Sequence, residues 1–313
     1  MLRQGFPPDA TGSTVPCVSD APWRQYAPEA FDCFDRIEAL AAGMVEPALL
    51  DPVRLAVASA LVHPEELERT PVAERVTPDP RAAAGVTFAE QFVVDVAGTT
   101  DEQRGMLGAA MGEDTFTFVQ ALYVVDVFQR GRIALERIFA TPFGPALAAE
   151  TGDLWGTIEE FMRVVARLHA LDPVTTELVR LRGARAHNCR ICQSRLSLRA
   201  VETAGDEARF AADADDAMLD EHARAALALA DAVIWQPSSI DDALVTRIRS
   251  ALADDEIVEI VLDLVRNAAN KIAVSLGGDE AVVTDGVEFY DVDATGEVFA
   301  HVDREAVRSA THA

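Results

Sequence analysis

The second half of this 313-residue chain repeats the pattern of its first half, so one packing solution has to be found twice. Leu50-Asp-Pro-Val53 recurs as Leu171-Asp-Pro-Val174, and Val53-Arg-Leu-Ala-Val-Ala-Ser-Ala60 matches Val179-Arg-Leu-Arg-Gly-Ala-Arg-Ala186. Further on, Phe88 to Leu135 follows the pattern of Leu229 to Leu276: an apolar helix, an acidic turn, a short helix, a second acidic turn and a long helix. Asp114 then corresponds to Asp255, and Asp126 to Asn267. The offsets 179 − 53 = 126 and 229 − 88 = 141 differ by 15, and the extra residues fall where the second copy carries Cys189 and Cys192. The first copy has Leu61, Val62, His63 and Glu66 in place of His187, Asn188, Cys189 and Cys192, so it reads as a chemically silent duplicate that packs against the second. His63 itself reads as a solvent or cap residue. The repeat predicts two helical units related by a pseudo-two-fold axis, with Thr115–Phe139 and Asp255–Leu276 as equivalent long helices.

Helical periodicity supports an all-α class. Phe31, Phe34, Ile37 and Leu40 place one apolar face on a helix from Ala30 to Met44. A second helix is expected to start at Pro52 with Asp51 as its N-cap. Thr115 to Phe139 is apolar on more than one face and predicts a buried central helix. Leu154–Leu171, Pro173–His187, Asp216–Trp235, Ile240–Leu252 and Asp255–Leu276 complete the set. Only the tail alternates with period two: Val287, Phe289 and Val298 flank Asp293-Ala-Thr-Gly296, which reads as one β-hairpin. The organisation expected is an N-terminal extension over 1–29, a first helical unit over 30–150, and a second over 151–313 that holds the cysteines and the tail. Trp23, Trp155 and Trp235 read as packing residues.

Charge narrows the function classes. Lys plus Arg total 27 against 52 for Asp plus Glu, and a net charge of −25 repels nucleic acid and anionic membrane surfaces. Met1 to Ala10 lacks the apolar core of a secretory signal, and no apolar run has the length of a membrane span. These features read as a cytoplasmic protein. In a reducing compartment a Cys-x-x-Cys pair such as Cys189 and Cys192 is redox-active or metal-binding more often than a structural staple. Zinc needs four ligands, and His187, Cys189 and Cys192 supply at most three nearby, so no metal is expected. A pair of buried, reduced structural cysteines is the bland alternative.

Glu177 precedes Cys189 by twelve residues and Arg180 by three, so it has two readings: a proton acceptor for the thiols, or an ordinary helix-face ion pair with Arg180. Arg180, Arg182, Arg185, Arg190, Arg195 and Arg199 stand out in an acidic chain, either to hold an anionic substrate or to pair with the protein's own carboxylates. If Asn188 caps a helix that begins at the cysteines, Cys189 lies in the first turn, where the helix dipole favours a thiolate most. Cys17 and Cys33 lie outside both repeats and carry no motif.

Glu177-Leu-Val-Arg-Leu-Arg-Gly-Ala-Arg-Ala-His-Asn-Cys-Arg-Ile-Cys192 resembles the core motif of the carboxymuconolactone decarboxylase and alkylhydroperoxidase D superfamily. Asp255-Glu-Ile-Val-Glu-Ile260 with Asn267 and Asn270 resembles that family's last long helix. The resemblance covers Leu171–Leu276 well and Leu50–Leu135 weakly, which implies two tandem alkylhydroperoxidase D-like helical domains, the first degenerate. It implies that Cys192 attacks a peroxide or disulfide, that Cys189 resolves the product, and that Glu177 accepts the proton. The family's relay histidine falls at Leu196 here; His187 is the candidate substitute, and Arg190 and Arg195 are candidate stabilisers of a thiolate. The resemblance implies no organic cofactor, an external thiol reductant, and assembly into a homo-oligomer. Two alternatives stay open: an acid/base enzyme like the lactone decarboxylases, and a non-catalytic binding or scaffold protein.

Overall fold

The computed structural model describes residues 21–61, 79–144, 146–211 and 218–300. The fold is all-α with one small C-terminal sheet. Helix α1 (Pro28–Met44) buries Phe31, Phe34, Ile37 and Leu40, the stripe its spacing predicts. Helix α2 runs from Pro47 to Leu61, five residues ahead of the expected start. Asp51 and Pro52 therefore lie inside the helix and not at its cap. Pro52 forgoes one ladder bond, but its turn buries Leu49, Leu50 and Val53, and that apolar contact decides the start.

Downstream, the two halves keep a strict register. The first has α3 (Pro80–Val94), a 3-10 turn at Val96–Gly98 and α4 (Asp101–Met111). After α5 (Thr115–Tyr123), a π-helical turn at Val124–Phe128 leads into α6 (Gln129–Phe139), so the long helix is continuous. Helix α7 (Leu154–Val165) stops short of Leu171, and α8 covers Pro173–Ala186. The cysteine segment holds a single turn, α9 (Arg190–Gln193), then strand β1 (Arg195–Ser197) and α10 (Leu198–Ala204). The second half continues with α11 (Glu221–Trp235), a 3-10 turn at Pro237–Ser239, and α12 (Asp242–Ala251). The element starts differ by 221 − 80, 237 − 96 and 242 − 101, each equal to 141, and α2 and α8 start 173 − 47 = 126 apart. These are the two offsets read from the sequence. Asp79 and Asp220 even cap their helices alike, each accepting a backbone N–H at 2.9 Å. The Leu-Asp-Pro-Val match is different: it lies within α2 but at the very start of α8, so the two strings are not structurally equivalent.

The second long helix is not continuous. It divides into α13 (Asp254–Asn267) and α14 (Asn270–Leu276), with the break at Ala268–Ala269. Shifted by 141, the π turn at 124–128 falls on 265–269, so both copies are irregular at the same place.

The halves share one apolar core. Phe34, Tyr123 and Phe128 of the first half cluster with Phe161 of α7. Helices α6 and α13 approach so closely that a Cβ on Gly131 would sit 3.0 Å from Val265 Cγ2. Trp23 is wholly buried against Phe31 and Phe143, so the region before residue 30 belongs to the core from Ala21 onward. Trp155 packs on Phe116, whereas Trp235 is 60% exposed and is not a packing residue.

A buried charge cluster pins the halves together. Asp126 accepts from Arg130 Nε at 2.7 Å and from Lys271 Nζ at 2.5 Å. Arg130 and Lys271 are themselves 271 − 130 = 141 apart. Burial alone would raise the Asp126 carboxyl, but the two cations overcome it and hold it below its usual range. Arg130 also donates to Val93 O at 3.0 Å and Ile234 O at 2.5 Å, the C-terminal carbonyls of α3 and α11.

The tail forms β2 (Glu288–Val292) and β3 (Val298–Ala300), paired antiparallel as the hairpin predicts. It also does something the alternation does not show. β2 pairs in parallel with β1, Leu196 opposite Phe289, so the tail is fastened to the cysteine segment.

Candidate functional site

Helix α8 starts sharply because Asp172 accepts from Val174 N and Thr175 N while Pro173 occupies the first position. It ends at Ala186. Asn188 then takes a left-handed conformation (φ 47°), one that Asn tolerates better than most residues, and it turns the chain. The expected N-cap at Asn188 is thus displaced by one residue. Cys189 is the cap, its Sγ accepting from Cys192 N at 3.3 Å. The turn that follows is only four residues long, too short for a macrodipole to favour either thiol.

Cys189 and Cys192 are joined in a disulfide, with Cα atoms 5.3 Å apart. The two sulfurs have unlike surroundings. Cys189 is wholly buried. Cys192 is partly exposed and forms part of the wall of a cavity of about 520 Å³, which lies between α7, α8, α13 and the tail. Asn270, the first residue after the helix break, donates from Nδ2 to Cys192 Sγ at 3.4 Å. Its Oδ1 faces His187 Nδ1 at 3.0 Å. An amide oxygen only accepts, so Nδ1 carries the imidazole proton. Burial, helped by the Lys271 charge, pushes His187 down to about 3, so it stays neutral at physiological pH. His187 therefore orients Asn270, and Asn270 points a donor at the sulfur.

Glu177 is 1% exposed and takes four donors. Oε1 accepts from Arg180 Nη2 (2.6 Å) and Ser197 N (3.0 Å); Oε2 accepts from Arg180 Nε (2.7 Å) and Tyr290 Oη (2.7 Å). Arg180 in turn donates to Cys192 O at 2.9 Å and Arg195 O at 2.8 Å. Of its two sequence readings, the geometry favours the ion pair: Glu177 fixes Arg180, and Arg180 fixes the backbone of the cysteine turn. Burial pushes the Tyr290 phenol up, so it remains a donor.

The other arginines do not serve the sulfurs. Arg190 binds Asp279 (3.0 Å) and Arg195 binds Glu288 (2.8 Å), so neither stabilises a thiolate. Arg182 faces Asp231 at 3.7 Å, and Arg185 donates to Phe210 O at 2.5 Å. The run largely braces the protein. Leu196, which the resemblance aligns with a relay histidine, is buried in β1. Half-buried Cys33 has its thiol pushed up to about 11, first by desolvation and then by Glu160, which leaves it unreactive near neutrality. Cys17 and His63 lie outside the described residues.

Two cavity residues were missed. Glu259 and Asp263 lie one turn apart on α13, each 3% exposed. The available signal was a pair of carboxylates within the otherwise apolar run Ile257–Val265. Glu259 accepts from Ala170 N (2.6 Å) and Leu171 N (3.4 Å), in the loop that stands where the expected Leu154–Leu171 helix would have ended. Desolvation and the Asp263 charge push Glu259 up to about 8. Desolvation, with Glu177 adding and Arg266 opposing, pushes Asp263 up to about 6.

Among the described residues no cluster of three or more His, Cys, Asp or Glu is placed to hold a metal ion, and no helix is long and apolar enough to cross a membrane. The chain is similar to two uncharacterized proteins of Mycobacterium tuberculosis, Rv2313c of strain H37Rv and MT2376 of strain CDC 1551. Each is 41% identical over 228 residues, spanning 70% of this chain and 80% of the relative. No family model and no solved structure matches it.

Proposed function

The chain belongs to one family with these two mycobacterial proteins, and we propose that it is a thiol–disulfide oxidoreductase of the alkylhydroperoxidase D kind. The observation that carries this reading is the asymmetry of the cysteine pair. Cys192 meets the cavity and receives a hydrogen bond from Asn270, while its disulfide partner Cys189 is sealed beneath it.

In the reduced state the Asn270 amide stabilises a thiolate on Cys192, the species that acts as nucleophile. With a hydroperoxide, Cys192 sulfur bonds to the distal oxygen, the O–O bond breaks, and an alcohol leaves once its oxygen takes a proton. The thiolate of Cys189 then attacks the sulfenic sulfur of Cys192, an S–S bond forms, and hydroxide departs as water after protonation. An external dithiol reduces the pair and is itself oxidised. This cycle suits a reducing compartment such as the cytoplasm. Assembly into a homo-oligomer is part of the same proposal.

The test is hydroperoxide consumption by the protein supplied with an excess of dithiol reductant, beside Cys192→Ser and Cys189→Ser forms. Consumption should fall to the uncatalysed rate with Cys192→Ser. Cys189→Ser should complete one turnover and then stall. Equal rates in all three proteins would remove the redox reading.

A further inference from the structure

Cys189 and Cys192 both lie in the second half, yet the helix that reaches the sulfur is docked on the first. Helix α14 spans only Asn270–Leu276, and the break at Ala268–Ala269 cuts it off from α13. It packs on the 3-10 turn at Val96–Gly98 and on α5, both elements of the first half. Its first residue, Asn270, is the one that donates to Cys192 Sγ at 3.4 Å. We propose that Arg104, Tyr123 and Asp126 of the first half are positioning residues, which hold α14 where the Asn270 amide meets Cys192. On the redox reading of the pair, on which this role rests, the copy without the cysteine pair is a working part of the site.

Three contacts grip the chain on both sides of Asn270. Before it, the break turns Ala269 N to Arg266 O (3.2 Å), and Tyr123 Oη of α5 donates to Val265 O at 2.8 Å. Beside it, Lys271 Nζ reaches Asp126 Oδ2 at 2.5 Å and lies 4.4 Å from the centre of the Phe92 ring, so its side chain ends among first-half groups. Beyond it, Arg104 of α4 donates from Nε to Ser275 O (2.9 Å) and from Nη2 to Val274 O (3.4 Å), in the last turn, where a helix runs out of donors of its own. Asp101 steadies the same guanidinium through Nη1 at 2.7 Å. Gly277 has a left-handed φ of 76°, and a Cβ there would lie 3.3 Å from Arg104 Nε, so the bare glycine lets the guanidinium in. His187 of the second half, 3.0 Å from Asn270 Oδ1, sets which way the amide faces; the three grips set where its backbone stands.

A hydrogen bond to a charged sulfur favours the thiolate over the thiol, and it fades once donor and acceptor part or tilt. Loosening α14 therefore raises the pKa of Cys192 and slows it as a nucleophile. The ion pairs around the cysteine turn, Arg180 with Glu177, Arg190 with Asp279 and Arg195 with Glu288, are untouched by changes in the first half.

Arg104 suits the test because its side chain is 25% exposed and belongs to the half without the pair. Iodoacetamide alkylation of the reduced protein, mapped to each cysteine over a range of pH, reads Cys192 directly. Arg104→Ala should slow Cys192 about 3-fold at pH 7 and move its half-maximal rate to higher pH. Arg104→Lys, which keeps one donor for Ser275 O, should recover most of the rate. Tyr123→Phe should slow Cys192 in the same direction. In an Asn270→Ala background Arg104→Ala should have no further effect, because the contact it supports is gone. General loosening of the fold predicts instead faster modification of buried Cys189 and half-buried Cys33, and that result overturns the proposal. So does an unchanged Cys192 rate, or slowing of equal size in the Asn270→Ala background. Hydroperoxide turnover with excess dithiol should also fall about 3-fold with Arg104→Ala. Turnover that survives Cys192→Ser would overturn the redox reading by itself, since alkylation needs no peroxide.

Discussion

The two halves of the molecule share a helical frame and differ at one place in it. In the first half the π turn at Val124–Phe128 keeps the long helix continuous, and Asp126 inside it is locked by Arg130 and Lys271. In the second half the same place is a break, Asn267 stands where Asp126 would be, and Asn270 emerges to touch Cys192. One copy uses the irregular turn for a buried ion cluster; the other uses it to aim an amide at a sulfur. On the proposed redox reading, the repeated scaffold divides labour, with a structural cluster on one side and the cysteine pair on the other. The insertion that raises the offset from 126 to 141 holds the tail's partner strand β1 as well as the cysteines.

That division can be broken most severely at Asp126. Asp126→Asn leaves Arg130 and Lys271 buried without their anion, and unfolding in urea should show a loss of about 3–5 kcal/mol. A loss below about 1 kcal/mol would mean that the cluster does not hold the halves together. Next in size is Glu177→Gln, which removes the charge that holds Arg180 and should cost about 1–3 kcal/mol. It should not move the pH dependence of Cys192 alkylation. A moved profile would restore Glu177 as the proton acceptor.

A smaller effect is expected at His187. Its folded pKa, about 3, lies below the ordinary 6.5, so the unfolded chain binds the extra proton between those values. The contribution is fully present above pH 6.5 and is lost as pH falls. Wild type should lose about 1 kcal/mol relative to His187→Gln on going from pH 7 to pH 5.5. A parallel pair of stability curves would show that His187 is not buried neutral behind Asn270.

Much of the frame was legible because it is periodic. The α1 stripe, the long helix from Thr115 and both repeat offsets follow from apolar spacing, and the all-α class with a tail hairpin follows with them. Local signals failed where long-range contacts outweighed them. Pro52 looks like a helix start, but burial of Leu49 and Leu50 carries the helix through it. Asn188 looks like a cap, but the chain has to reverse there. At the site, the closeness of Cys189 and Cys192 was legible from spacing, whereas His187, read as a stand-in relay, faces Asn270, and the acceptor geometry of Glu177 depends on Tyr290 from a strand 113 residues away. Glu259 and Asp263 were hidden because a carboxylate on an apolar helix says nothing, in sequence, about which cavity it faces.

The central claim is that chemistry resides in the second half, at Cys192. The direct measurement is the rate of iodoacetamide alkylation of the reduced, native protein at neutral pH, mapped by mass spectrometry to each cysteine. Cys192 should be modified at least about 10-fold faster than Cys189 and Cys33, because its sulfur alone among these meets the cavity and the Asn270 donor, whereas the other thiols are sealed or held protonated. Asn270→Ala should remove most of that advantage. Equal modification of the three, or resistance of Cys192 in the reduced fold, would contradict the account.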